Sequence, residues 1–129
     1  MNGMKRIFFF SILVFLLVNT AHSKPKLHLP KKIIDFDTIS YSQKELRCKV
    51  PIVNKGDSPL YLTETKVFCP CMKVSYSEEA LMPGDTALIN VTYTFNHTEH
   101  FSNTVRLYYN SEDPEEMEQF TLYGYIKEE

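Results

Sequence analysis

The chain has 129 residues, with 14 Lys and Arg against 16 Asp and Glu, a formal net charge of −2, 43% hydrophobic residues and no tryptophan. That length holds one domain with a modest core. The acidic balance argues against a nucleic-acid partner, which would require a basic patch or stripe, and against docking on anionic lipid.

The first stretch reads as a targeting segment, not as part of the fold. Lys5 and Arg6 precede an apolar run from Ile7 to Val18, and Ala21-His22-Ser23 places small residues at the two positions a signal peptidase reads. The run is shorter than the roughly 20 apolar residues of a membrane span. A secretory signal peptide is therefore expected over residues 1–23, removed after Ser23, with a single domain over residues 24–129. Loss of Lys5 and Arg6 leaves 12 basic against 16 acidic residues, a net charge of −4.

Next comes Lys24 to Lys32, a basic, proline-containing lead-in expected to be extended. Ile33 to Asp37 predicts a short first strand. Glu45 to Val53 alternates, with Leu46, Cys48, Val50 and Ile52 on one face and Arg47 and Lys49 on the other, the period of a half-buried strand. Pro51 inside it favours an edge or bulge position. Asn54 to Pro59 is dense turn chemistry, and Leu60 restarts a strand that runs to about Phe68. Cys69-Pro70-Cys71 breaks it, because proline has no N–H to give to a ladder. Lys73 to Tyr76 predicts a short strand.

Met82-Pro83-Gly84-Asp85 is a turn. Thr86 to Phe95 is the clearest strand, with Ala87, Ile89, Val91, Tyr93 and Phe95 on one face. Asn96 to Ser102 reads as a polar loop. Asn103 to Tyr109 turns Val105, Leu107 and Tyr109 inward, Asn110 to Glu118 is an acidic, solvated turn, and Gln119 to Ile126 is the last strand. Gly124 falls on its inward face, where a side chain is not expected to fit. About seven strands, turns roughly every ten residues and no helical period predict an all-β fold, an Ig-like antiparallel β-sandwich.

Several motifs, in this order, resemble a known family. Phe36-Asp37-Thr38-Ile39 resembles its opening F-G-x-I, Asn54 to Leu60 its N-x-G-x-x-P-L turn, Cys69-Pro70-Cys71 its C-x-C, and Pro83-Gly84 its P-G turn; Gly124 falls at its closing G-x-V/I. The family is that of domain of unknown function 1573, exported Ig-like sandwiches of Bacteroidetes-type Gram-negative bacteria, similar to the wider sperm-protein and Hydin-type group. Asp37 stands where the family often has glycine, and Pro70 replaces the glycine between the cysteines. The resemblance spans Ile33 to Lys127 and implies fold, export and a role as an accessory or binding module. It implies no activity.

Chemistry is sparse. Cys69 and Cys71 can chelate one soft metal, copper(I) with Met72 added, or form a small-ring disulfide, or act simply as packed thiols at a strand end, or link to another chain. Cys48 is expected to be a small buried hydrophobe or to pair with one of them. No nucleophile–base pair stands out, so no enzyme and no cofactor are expected. Tyr61, Tyr108, Tyr123 and Tyr125 all fall opposite the core, on strands expected to share one sheet, a face suited to protein or sugar binding or to ordinary cross-strand packing. The expected role is an exported, periplasmic or envelope-associated module that binds a protein or envelope component. A thiol-redox or copper-binding protein using Cys69 and Cys71 is the first alternative, and a structural subunit of an envelope assembly is the second.

Overall fold

In a computed structural model that describes residues 22–128, eight strands form two four-stranded sheets. The expected leader lies almost wholly outside the described residues. The strands are β1 (Leu27–His28), β2 (Ile33–Ser40), β3 (Glu45–Asn54), β4 (Leu62–Val67), β5 (Met72–Ser75), β6 (Thr86–Thr94), β7 (Glu99–Tyr109) and β8 (Met117–Lys127). One sheet has the order β1-β3-β6-β5 and the other β2-β8-β7-β4. Val50, Ile89 and Val91 from the first meet Val105, Leu107, Phe120, Leu122 and Ile126 from the second in a buried core. The fold is the β-sandwich that the alternation predicts, and the inward residues of β3, β6, β7 and β8 are those read from the sequence.

Three features depart from the reading. The lead-in contributes β1, which pairs Leu27 and His28 with Asn54 and Val53. Leu27 and Leu29 alternate into the core, a period too short to register between prolines and lysines. Strand β7 starts at Glu99 inside the expected polar loop, because only Phe101 faces inward there and its neighbours are polar. Strand β2 is longer than expected and pairs with β8 in parallel, not antiparallel.

That pairing shifts register between Asp35 and Thr38. At the shift Asp37 adopts φ 56, the left-handed region, and its N–H donates to Asp35 Oδ1 at 2.7 Å. Glycine reaches that conformation without strain, and aspartate tolerates it with a local hydrogen bond. This accounts physically for the glycine that Asp37 replaces in the motif. Directly inside, a Cβ on Gly124 would lie 3.0 Å from the Phe101 ring and 3.3 Å from the Asp37 carbonyl oxygen.

Pro51 sits where β1 no longer covers β3, since β1 reaches only Val53 and Asn54. A proline is tolerated there because its missing N–H faces the open edge. Asn54, fully buried, ties three segments together. Its amide oxygen accepts from Lys26 N at 3.3 Å and Gly56 N at 2.9 Å, and its amide nitrogen donates to Ser58 O at 2.8 Å and Leu81 O at 2.9 Å. This uses the full capacity of the side chain. The lead-in, the turn and the segment before β6 are thereby fixed to one residue.

Candidate functional site

The outer face of the β2-β8-β7-β4 sheet carries the tyrosines. Register sets Tyr125 of β8 opposite His100 and Tyr123 opposite Ser102. The His100 and Tyr125 rings stack at 4.4 Å, and the Tyr123 hydroxyl donates to Asp35 Oδ2 at 3.0 Å, across to β2. That hydrogen bond and the charge of Asp35 push the Tyr123 phenol above its ordinary pKa. Ile33, paired with Thr121, stands further along the same face and is 61% exposed.

Tyr108 is paired with Met117, six residues along β7 from Ser102. At about 3.4 Å per residue, Tyr108 lies roughly 20 Å from the Tyr123 position. Lys66 reaches over its ring at 5.2 Å. Tyr61 precedes β4 and exchanges two hydrogen bonds with Asn110, of which its N–H donates to Asn110 Oδ1 at 2.8 Å. The structure therefore brings Tyr123 and Tyr125 together and sets Tyr61 and Tyr108 at the other end of the sheet. A polar middle divides them, including Thr104 and Thr121 with their hydroxyls 2.9 Å apart. Exposed Ile33 and Phe68 were not singled out from sequence. Ile33 shares its parity with outward Asp35, which is the signal that could have found it.

Cys69 and Cys71 form a disulfide across Pro70, with Cα atoms 5.1 Å apart. The loop crosses from β4 in one sheet to β5 in the other. Met72 N donates to Cys69 O at 3.2 Å, and Thr94 N donates to Cys71 O at 2.9 Å. A soft metal would require both sulfurs as thiolates, hence the reduced form. The sequence also offers His97 and His100 of the Asn96 to Ser102 stretch as ligands to close such a site; His97 lies 2.9 Å from Glu99, and His100 is stacked on Tyr125. Cys48 is a free, half-buried thiol on the inward face of β3, and burial pushes its pKa up, away from reactivity.

The acidic turn is exposed from Glu112 to Glu116, as its composition suggests, but it is held by hydrogen bonds. The buried Tyr109 hydroxyl donates to Glu116 Oε1 at 2.6 Å, and the Ser111 hydroxyl donates to the other oxygen of the same carboxylate. Those two bonds hold Glu116 below the usual carboxylate range. Burial first, then the bond to Glu116 and its charge, push Tyr109 up from 10.0 to about 12. The folded phenol holds its proton more tightly than the unfolded one. Its stabilisation is thus complete below pH 10 and is lost as pH rises through about 12. Denaturant titrations across that window should show the wild type losing stability more steeply than Tyr109→Phe; parallel curves would disprove the coupling.

A family model described as "Protein of unknown function (DUF1573)" matches residues 27–126. No curated protein matches the chain. Among solved structures, the chain is similar to a protein of unknown function from Porphyromonas gingivalis (13% identity, TM-score 0.65, 79% of this chain and 47% of that one). It is also similar to the ASH/PapD-like domain 7 of human CEP192 (13%, TM-score 0.63, 82% and 88%). A third likeness is to the CsuC-CsuE chaperone–tip adhesion subunit complex of Acinetobacter baumannii Csu pili (13%, TM-score 0.53, 79% and 57%). At these identities the likeness shows the fold alone. The chain spans about half the length of the Porphyromonas protein. Among the described residues no helix is long and apolar enough to cross a membrane.

Proposed function

The chain belongs to the DUF1573 family, a family of unknown function, and from that premise we propose that it is an exported, envelope-associated module that binds another protein. The observation that carries this reading is the aromatic end of the second sheet's outer face. There Tyr123 and Tyr125 remain 39% and 37% exposed although each already has a polar or aromatic partner within the chain. Aromatic rings held rigid in this way lose little freedom when a partner covers them. The PapD-like and chaperone-containing neighbours support a binding role for the scaffold.

Export is read from the expected leader, and one contact beside the expected cut is of interest. Lys24 N donates to Asp57 Oδ1 at 2.6 Å and Lys24 O accepts from Asp57 N at 2.9 Å. This contact is compatible with a cut after Ser23. In a chain cleaved there, that nitrogen would be an α-ammonium facing a carboxylate. The role is one of binding, and no catalytic group is assigned.

Replacing Tyr123 and Tyr125 together by Ser should leave the fold intact, because both side chains lie outside the core. Recovery of a partner cross-linked in cells should fall about tenfold or more, the loss expected when anchoring aromatics leave an interface. Undiminished recovery with a folded variant would reject this face as the docking surface.

A further inference from the structure

We propose that the edge of β6 from Thr86 to Leu88 is a second docking site, which takes an extended basic peptide of a partner protein as an added strand continuing β5. It is a different surface from the tyrosine face and does not depend on it. Strand β5 covers β6 only from Asn90 to Tyr93, through the pairs Ser75–Asn90 and Met72–Tyr93. The direction of the backbone groups beyond that point follows from bonds nearby. Thr94 N–H donates to Cys71 O, on the β5 side, whereas Phe95 N–H donates to Lys44 O and Asp85 O accepts from Asn54 N, on the β3 side. Backbone groups alternate along a strand, so Leu88 and Thr86 aim their N–H and C=O to the β5 side, where β5 has ended.

The chain that follows Ser75 does not continue along that edge. It swings away, and Leu81 exchanges hydrogen bonds with Leu60 instead, at 2.8 and 2.9 Å. Between the departing segment and β6 a cleft of about 370 Å³ opens, with Leu60, Leu62 and Ala87 among its apolar walls. Its charged lining consists of Glu79 and Asp85, both exposed. An open strand edge over an apolar slot fits main-chain pairing with side-chain pockets at alternate positions. The acidic rim selects the charge: small apolar residues facing the slot and Lys or Arg flanking them.

The test is a titration of the isotope-labelled purified protein with the peptide acetyl-Lys-Val-Thr-Val-Thr-Val-Lys-amide, followed by amide exchange. Exchange at Thr86 and Leu88 should slow about tenfold or more at saturation, while Ala87, already bonded toward β3, should not change. Of two peptides N-methylated at alternate residues, the one blocked on the β6-facing side should lose binding and the other should keep it. Glu79→Lys should weaken binding about threefold to fivefold. Leu88→Pro, which removes one edge N–H and leaves the β3 ladder intact, should abolish it. Unchanged exchange at Thr86 and Leu88 overturns the proposal. So does equal binding of both N-methylated peptides, which would mean docking by side chains alone. Protection that appears with protein concentration and no peptide would mean a second copy occupies the edge, and likewise overturns it.

Discussion

Asn54→Ala is expected to lower the stability of the protein by about 3 kcal/mol, a large part of the roughly 5–15 kcal/mol a domain possesses. The side chain is fully buried and makes four hydrogen bonds. Alanine leaves two N–H groups and the Ser58 carbonyl without partners, while Leu81 O keeps its bond from Leu60 N–H. Each costs about 1–3 kcal/mol if it stays dry. The turn groups, Gly56 N and Ser58 O, lie near enough to the surface to recover water, which keeps the sum below the maximum. Asn54→Asp should be at least as damaging. It retains an acceptor for Lys26 and Gly56 but turns a carboxylate toward the carbonyls of Ser58 and Leu81. Urea unfolding with an unchanged slope and a shifted midpoint would measure both. A loss under about 1 kcal/mol for alanine would mean that water replaces the amide, against the role assigned to it.

Gly56→Ala should have an effect of similar or greater size by a different route. A Cβ there would sit 2.1 Å from Lys24 O, 2.6 Å from Lys26 N and 2.7 Å from Pro25 C, all backbone atoms. No rotamer change relieves such contacts, so the lead-in must move. It is held by Lys55 N to Lys26 O at 2.8 Å and Asp57 N to Lys24 O at 2.9 Å. If it undocks, Leu27 and Leu29, now 1% and 2% exposed, leave the core. At about 1.5–3 kcal/mol per leucine, the loss is about 3–6 kcal/mol. Amide exchange should show the lead-in opening while the β3–β6 ladder remains protected. Uniform loss of protection across both sheets would contradict this local route. Because Asn54 and Gly56 hold the same segment, the double variant should lose less than the two single losses combined.

These two residues also show what was readable in the sequence and what was not. The stretch Asn54 to Leu60 announces a turn by composition alone, and alternation in β3, β6, β7 and β8 announces a sandwich, because both signals are local. What Asn54 binds is not local. Lys26 and Leu81 lie 28 and 27 residues away from it, and no pattern in the turn names them. The tyrosines were placed on the correct face for the same local reason, since parity along a strand decides in or out. Their separation into two groups depends on the register between β7 and β8, which parity does not specify. The disulfide was one of several states open to a Cys-Pro-Cys spacing, and the turn closed by Met72 N–H on Cys69 O, which composition does not specify, holds the two cysteines close. The open edge of β6 was invisible, because it arises from where β5 stops relative to its neighbour.

The parallel pairing of β2 with β8 has a consequence for the order of events during synthesis. Ile33 to Ser40 is among the first parts of the domain to leave the ribosome, yet its partners run from Thr121 to Lys127. A chain still lacking β8 has no template for β2 and no lid for the core residues of β7. The second sheet can therefore close only once β8 has been made, and a contact joining such distant segments forms late and slowly. Until β8 emerges, β2 is a strand without a partner in its sheet.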